Sequence, residues 1–310
     1  MKIIADTVHF YIDEPAAVAI GKFDGVHLGH RKLIEALKQQ KGLAAVVFTF
    51  DPSPAVFFGA ADKELSTREE KRAMFGSLGV DYLVEFPLTK ETAAIPPEHF
   101  IRDILSERLQ CRFVAAGSDL SFGAGGKGNY ALLERLAVPC GYRSLCIEKV
   151  SVDGTEVSST KIRELIAEGK VAEAGKMLGA PYQIQGRIVE GNRIGRTIGV
   201  PTINQIPPQD KLLPPFGVYY SDVEIGGELY HGMTNIGVKP TIGDDRFREG
   251  SARLTAETYL YNFDGDLYGT EARTMLREFR RPERKFGSLE ELRHAMDEDI
   301  RAGEQLFACL

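Results

Sequence analysis

Cysteine is scarce and unpaired in this 310-residue chain. The four present, Cys111, Cys140, Cys146 and Cys309, share no Cys-x-x-Cys or ligand-type spacing, which leaves a disulfide framework and a cysteine metal site both unsupported. Free thiols suit a reducing cytoplasm. Long apolar runs are missing too. No stretch reaches the ~18 residues of a membrane helix, and Lys2 and Asp6 interrupt the N-terminus before a signal-peptide core could form. A soluble, cytoplasmic protein with no membrane partner is expected. A basic surplus is also lacking: 38 Lys and Arg against 44 Asp and Glu give a net charge of -6 and a pI near 5.7. Duplex binding needs cations gathered on one face, so no nucleic acid partner is expected. Any polyanion bound here must be small and held by local groups.

What is present is globular: 43% hydrophobic and 26% charged residues, in a length that favours two domains. Up to about Val150, short apolar runs (18–20, 44–50, 82–84, 113–116 and 145–147) alternate with helical stretches at 31–39, 68–78 and 98–109. That alternation predicts an α/β domain with a Rossmann-like parallel sheet. Further helices are expected from Ser159 through Ile166 and over 171–178, ending at Gly179 with Pro181 beyond. The boundary is placed there, giving domains 1–181 and 182–310. Past it, Gly-punctuated alternating strands such as 183–189, 217–225 and 254–261 predict an antiparallel β-barrel, closed by a helix over 289–306.

The first apolar strand runs into Gly21-Lys22-Phe23-Asp24-Gly25-Val26-His27-Leu28-Gly29-His30 and then a helix. A glycine-rich turn at a helix N-terminus is an anion site, because unpaired N–H groups and the helix dipole face whatever sits there. His27 and His30 can both point at one phosphate, where charge builds during attack on phosphorus. A lone histidine here would more simply cap or pack. Two of them around Gly29 favour catalysis. A second run, Ser158-Ser159-Thr160-Lys161-Ile162-Arg163, puts hydroxyls and cations in the first turn of a helix, suited to pyrophosphate.

The string Gly-x-Phe-Asp-Gly-x-His-x-Gly-His resembles the His-x-Gly-His nucleotidyltransferase superfamily, in particular its FAD synthetase branch. The segments 49–54, 65–71 and 117–123 are similar to this branch in order, with Ser53 where many relatives have His, and Leu120 and Ser121 where they have Phe and Arg. The resemblance implies an FMN adenylyltransferase using ATP. It implies His27 and His30 as catalytic groups, and Gly21, Phe23, Asp24, Gly25, Asp119, Ser159, Thr160, Lys161 and Arg163 at the nucleotide. It also implies Asp51, Pro52 and Pro54 at the flavin.

In the C-terminal half, Gly191, Gly195 and Gly199 allow backbone amides to wrap a polyphosphate, although such a turn alone is more often an ordinary hairpin. Thr202 and Asn204, two apart on an extended chain, offer neutral oxygens suited to Mg²⁺. Taken alone, a stabilised turn explains them equally well. The pattern Gly-Arg-x-x-Gly-x-Pro-Thr-x-Asn resembles the riboflavin kinase signature, with Ile203 where relatives usually carry Ala. The segments 215–219, 234–241, 266–269 and 281–286 follow in that family's order.

This second resemblance implies nucleotide contacts from Gly191, Gly195, Arg196, Gly199 and Pro201, and Mg²⁺ on Thr202 and Asn204. Pro240, Thr241 and Arg281 are implied at the flavin, and Glu257 as the base for the ribityl hydroxyl. Tyr259 stands where relatives often have His. Together the two resemblances imply riboflavin, FMN, FAD and ATP as the small-molecule partners. A weak homo-oligomer is left open. An adenylyltransferase with a silent, flavin-binding kinase domain and a non-catalytic flavin-binding regulator also stay open at this point.

Overall fold

In a computed structural model of the protein, residues 1–191, 199–240 and 252–309 are described. Gly195, Arg196 and Thr241 lie outside the described residues, as does the side chain of Pro240. The chain forms two compact units, Met1–Lys161 and Ile162–Leu310.

In the first unit a six-stranded sheet contains β1 (Lys2–Ala5), β2 (Ala16–Ile20), β3 (Ala44–Asp51), β4 (Tyr82–Pro87), β5 (Cys111–Gly117) and β6 (Arg143–Ile147). The order is β1-β4-β3-β2-β5-β6, and every neighbouring pair is parallel. Strand β2 is Ala-Ala-Val-Ala-Ile, with no residue more than 1% exposed. Its alternate residues serve two cores: Ala16, Val18 and Ile20 on one face, Ala17 and Ala19 on the other. Such continuous burial marks a central parallel strand with helices on both sides.

Helix α1 (Leu28–Lys38) covers one face with Leu33, Ile34 and Leu37, which helical spacing puts on one side. The short α2 (Pro54–Phe57) precedes α3 (Arg68–Ser77), which opens with a capping box between Thr67 and Glu70. The helix expected over 98–109 is wound differently. After the brief α4 (Lys90–Ala93) and α5 (Pro97–His99), the segment Phe100–Arg108 is a π-helix. At its end Leu109 N–H reaches back five residues to the Ile104 carbonyl at 3.0 Å. The wider turn buries Phe100, Ile101, Ile104 and Leu105 together. Helix α6 (Tyr130–Ala137) and the hairpin of β7 (Ser151–Val152) and β8 (Thr155–Glu156) precede α7 (Ser159–Ala167).

The second unit begins within α7 and continues through α8 (Val171–Leu178). The sequence reading draws its boundary near 181. The contacts divide the chain earlier because α8 packs on β9 (Tyr182–Val189) and β14 (Glu271–Pro282). With β10 (Thr202–Gln205), β11 (Gly217–Ile225), β12 (Glu228–Pro240) and β13 (Ala252–Leu260), these strands close a barrel in the order β10-β13-β12-β11-β14-β9. All six pairings are antiparallel.

Part of the barrel interior is polar and satisfied. Ser221 and Thr234 hydroxyls meet at 2.7 Å, Thr234 and Thr258 at 2.8 Å. Gln205 Nε2 donates to the Gly186 and Ala272 carbonyls, while Thr274 donates to Gln205 Oε1 at 2.6 Å. Buried hydroxyls and amides are tolerated because each finds a partner.

Helix α9 (Leu289–Phe307) covers the outer face around Val218, Tyr220 and Met233, where Met296, Ile300, Leu306 and Phe307 pack. Tyr220 and Tyr261 hydroxyls donate to the Asp299 and Ile300 carbonyls, each at 3.0 Å. Gly303 lets this happen, because a Cβ there would collide with the Tyr261 hydroxyl and the Tyr220 ring. Helix propensity alone would favour Gly303→Ala by about 1 kcal/mol. Overpacking at about 1–3 kcal/mol, plus a displaced hydrogen bond of about 1 kcal/mol, outweighs that gain. Gly303→Ala is therefore expected to lower the thermal midpoint of the protein, measured by calorimetry.

Candidate active sites

In the first unit, β3 and β5 lie on opposite sides of β2, so the strand order reverses there. Such a reversal opens a crevice at the carboxyl ends of the strands. The Gly21–His30 turn leaves β2 at that crevice. Phe23 and Val26 hold positive φ values of 50° and 45°, and Gly25 one of 85°. Backbone strain of this kind in non-glycine residues persists only where the surroundings enforce it. Here Phe23 is fully buried, set edge-on to Phe75 and tilted beneath His30 at 4.8 Å. Phe23 thus supports the histidine from below.

Asp24 is the tie of the turn. Its Oδ1 accepts the Leu65 N–H at 2.8 Å, and its carbonyl accepts the Ser159 hydroxyl at 2.9 Å. One residue therefore fixes the phosphate turn, the approach to α3 and the start of α7. Ser158 caps α7, its Oγ accepting the Lys161 N–H at 3.2 Å. Thr160 is exposed in the first turn of α7, and Lys161 and Arg163 are half-buried on it.

The His27 and His30 rings stack at 3.6 Å between centroids, 16° from parallel. A Cβ on Gly29 would come within 3.2 Å of the His27 ring, so glycine leaves the space that this stack needs. Both Nδ1 atoms are buried without a hydrogen-bond partner. Burial lowers the His27 pKa to about 4 against an upward pull from the Asp119 carboxylate, and burial beside His27 holds His30 well below its ordinary value. Both rings are held neutral at pH 7, each with one N–H donor and one acceptor nitrogen. Asp119, at the end of β5, also approaches Lys149 at 3.7 Å. Asp51 meets Arg68 at 3.3 Å, and burial raises its carboxyl pKa against the pull of that guanidinium. Pro52 is exposed, and Pro54 opens α2.

In the second unit the register sets Asn204 opposite Glu257, and Glu257 opposite Asn235. Directly opposed residues on neighbouring strands share a face, so three polar side chains line up across β10, β13 and β12. Thr202 and Asn204 share that face by alternation. Gly191 lies over Asn204, and a Cβ on Gly191 would occupy the place of the amide group. Gly199 takes φ 79°, and Pro201 is exposed. Ile203 faces the other way, into the apolar cluster of Ile188, Val223 and Leu260, while Tyr259 packs against the α9 cluster. Arg281 is held by Asp299 of α9 at 2.8 Å, with Arg280 on the other carboxylate oxygen at 3.2 Å.

Among the described residues no group of three or more His, Cys, Asp or Glu side chains converges as a metal site. Thr202 and Asn204 supply neutral oxygens beside the glycine-rich segment. That donor set fits Mg²⁺, which takes one or two protein ligands and completes its shell with water and substrate phosphate.

The family described as FAD synthetase matches residues 10–161, and the one described as riboflavin kinase matches 178–307. A bifunctional riboflavin kinase/FMN adenylyltransferase of Listeria monocytogenes is 35% identical over 98% of this chain and 96% of its own. The enzyme of that name from Escherichia coli K12 is 34% identical over 95% and 93%. The chain belongs to the bifunctional riboflavin kinase/FMN adenylyltransferase family. A solved structure from Streptococcus pneumoniae, titled a macrolide-efflux protein, shares the fold at a TM-score of 0.79 and 27% identity, covering 96% of this chain and 95% of that one. Among the described residues of this family member, no helix is long and apolar enough to cross a membrane.

Asn235 escaped the residue-by-residue reading although it sits in the riboflavin kinase segment 234–241, because only strand register puts it beside Glu257. Unfolded His27 binds its proton near 6.5 and the folded ring near 4. Between those values the unfolded state holds more protons, so stability rises with pH and falls on acidification by up to about 1.4 kcal/mol per unit. His27→Asn is expected to flatten the drop in melting temperature between pH 6.5 and 4.5, compared with the wild-type protein in thermal melts.

Proposed function

We propose that this chain phosphorylates riboflavin to FMN in its barrel unit and adenylylates FMN to FAD in its parallel-sheet unit, with ATP as co-substrate of both. The observation that carries this reading is that a chain matched by both families keeps one polar site in each unit. One is the stacked His27 and His30 pair at the strand-order reversal, and the other is the Asn204, Glu257 and Asn235 row.

In the kinase reaction the ribityl hydroxyl of riboflavin keeps its proton at neutral pH. Glu257 accepts that proton as the oxygen bonds to the γ-phosphorus, and the bond from that phosphorus to the ADP oxygen breaks. Gly191, Gly199 and Pro201 are assigned to the nucleotide and Arg281 to the flavin, while Gly195 and Arg196 at the nucleotide and Pro240 and Thr241 at the flavin rest on the sequence pattern alone. Thr202 and Asn204 would hold Mg²⁺, which when bound would draw off charge from the phosphate oxygens.

In the adenylyltransferase reaction the FMN phosphate needs no base, since its second pKa is near ~6. A phosphate oxygen of FMN bonds to the α-phosphorus of ATP, the bond to the β-phosphate oxygen breaks, and pyrophosphate leaves. Neutral His27 and His30 each donate an N–H bond to oxygens that gain charge. Ser159, Thr160, Lys161 and Arg163 receive the pyrophosphate. Gly21, Phe23, Asp24, Gly25 and Asp119 shape the nucleotide end of the crevice, Phe23 and Asp24 by holding the turn. Asp51, Pro52 and Pro54 border the flavin.

Time courses with riboflavin, ATP and Mg²⁺ are expected to show FMN rising first and FAD following. Glu257→Gln is expected to lose FMN formation by about 10²–10⁴-fold while keeping FAD formation from supplied FMN. His27→Ala is expected to do the reverse. Equal loss of both activities in either variant would overturn this division of labour.

A further inference from the structure

The segment Leu65-Ser66-Thr67-Arg68-Glu69-Glu70-Lys71 takes no part in the chemistry above, yet it holds two of the most buried charges in the first unit, Glu70 and Lys71, and Glu64 just before it is a third. Lys71 Nζ meets Glu64 Oε2 at 2.7 Å, with Lys71 4% and Glu64 7% exposed. The other Glu64 oxygen accepts the Ser53 N–H at 3.2 Å. Ser53 in turn caps α2 through its Oγ, so its placement decides how the segment from Asp51 to Phe57 is presented. Three residues before Lys71, and so on the same side of the helix, Arg68 reaches Asp51 at 3.3 Å and Glu85 at 2.7 Å. The residue after Glu64 gives its N–H to Asp24 in the phosphate turn.

An ion pair in this position is not needed for stability. Two charges taken from water cost about what their attraction returns, and an apolar pair of similar volume commonly serves as well. What an apolar pair would not supply is an acceptor for Ser53 N–H. Glu64 and Leu65 are adjacent, and they bond respectively to the Asp51–Pro54 loop and to the Gly21–His30 turn. The two loops are thus pinned to one stretch of backbone.

We propose that Glu64, seated by Lys71 on the first turn of α3, is a positioning residue for adenylyl transfer: it holds the flavin loop in register with the phosphate turn, and so sets the reach between the FMN phosphate and the α-phosphate of ATP. This rests on the assignment of those two loops to FMN and ATP. Misplacement of reacting groups by about 1 Å costs about 10²-fold.

The test compares two double variants, each free of an uncompensated buried charge. Glu64→Leu with Lys71→Met removes the acceptor. Glu64→Gln with Lys71→Met keeps a neutral oxygen for Ser53 N–H. FAD formation is followed at varied FMN and at varied ATP, and FMN formation from riboflavin is measured on the same preparations.

The first double variant is expected to lose about 10- to 100-fold in kcat/KM for FMN, with KM for ATP within about twofold of wild type and kinase activity unchanged. The second is expected to regain most of the loss. Unchanged FMN kinetics in the first variant, an equal rise in both KM values, or no recovery in the second would each overturn the proposal. A wild-type protein that made no FAD from FMN would instead remove the assignment on which the proposal rests.

Discussion

Strand β2 lies inside the parallel sheet with β3 on one side and β5 on the other, and all five of its residues are closed to solvent. The chain emerges from β2 at the carboxyl edge of the sheet, where the strand order reverses and neighbouring connections diverge to leave a crevice. That constraint brings Asp119 toward His27 although they are remote in sequence, since β5 ends beside β2. The same constraint makes Asp24 a junction. It lies in the first stretch of chain clear of the sheet, where the segments 64–71 and 158–161 also arrive.

The chemistry of the two histidines follows from how tightly that turn is packed. Phe23 underneath and each imidazole against the other bury both Nδ1 atoms, and Gly29 leaves room for the stack. Buried imidazoles resist protonation, so the site in its resting state holds donors without charge.

The barrel solves a different problem. Closure leaves it no free sheet edge, and Asn204, Glu257 and Asn235 share the face turned away from Gln205 and Thr258, where register decides which residues stand side by side. Inside, hydroxyls and the Gln205 amide pair with one another and with backbone carbonyls. Thr234 and Thr258 can therefore sit fully buried although neither is apolar. Outside, α9 is tied down by tyrosine hydroxyls and by Asp299 between two arginines. Tyr259, which departs from the usual histidine of relatives, belongs to the cluster under that helix and lies two residues from Glu257 on the same face.

Much of this was legible in residue order. The buried run over 18–20, the glycine-rich turn after it, the helix start at Ser159 and the change from parallel to antiparallel texture all depend on contacts near in sequence or on periodicity, which a linear string records directly. The π winding of Phe100–Arg108 was not legible, since its residues read as an ordinary amphipathic helix. Nor was the tie from Arg281 to Asp299, 18 residues away, which gives a residue expected at the flavin a second partner. The sequence by itself determined the two kinds of domain and which residue types could handle phosphate in each. Tertiary structure alone decided that Asp119 comes near His27, that Asn235 stands beside Glu257, and that Glu64 braces Ser53. Those are meetings between distant segments, set by strand order and register, which side-chain patterns along one strand do not encode.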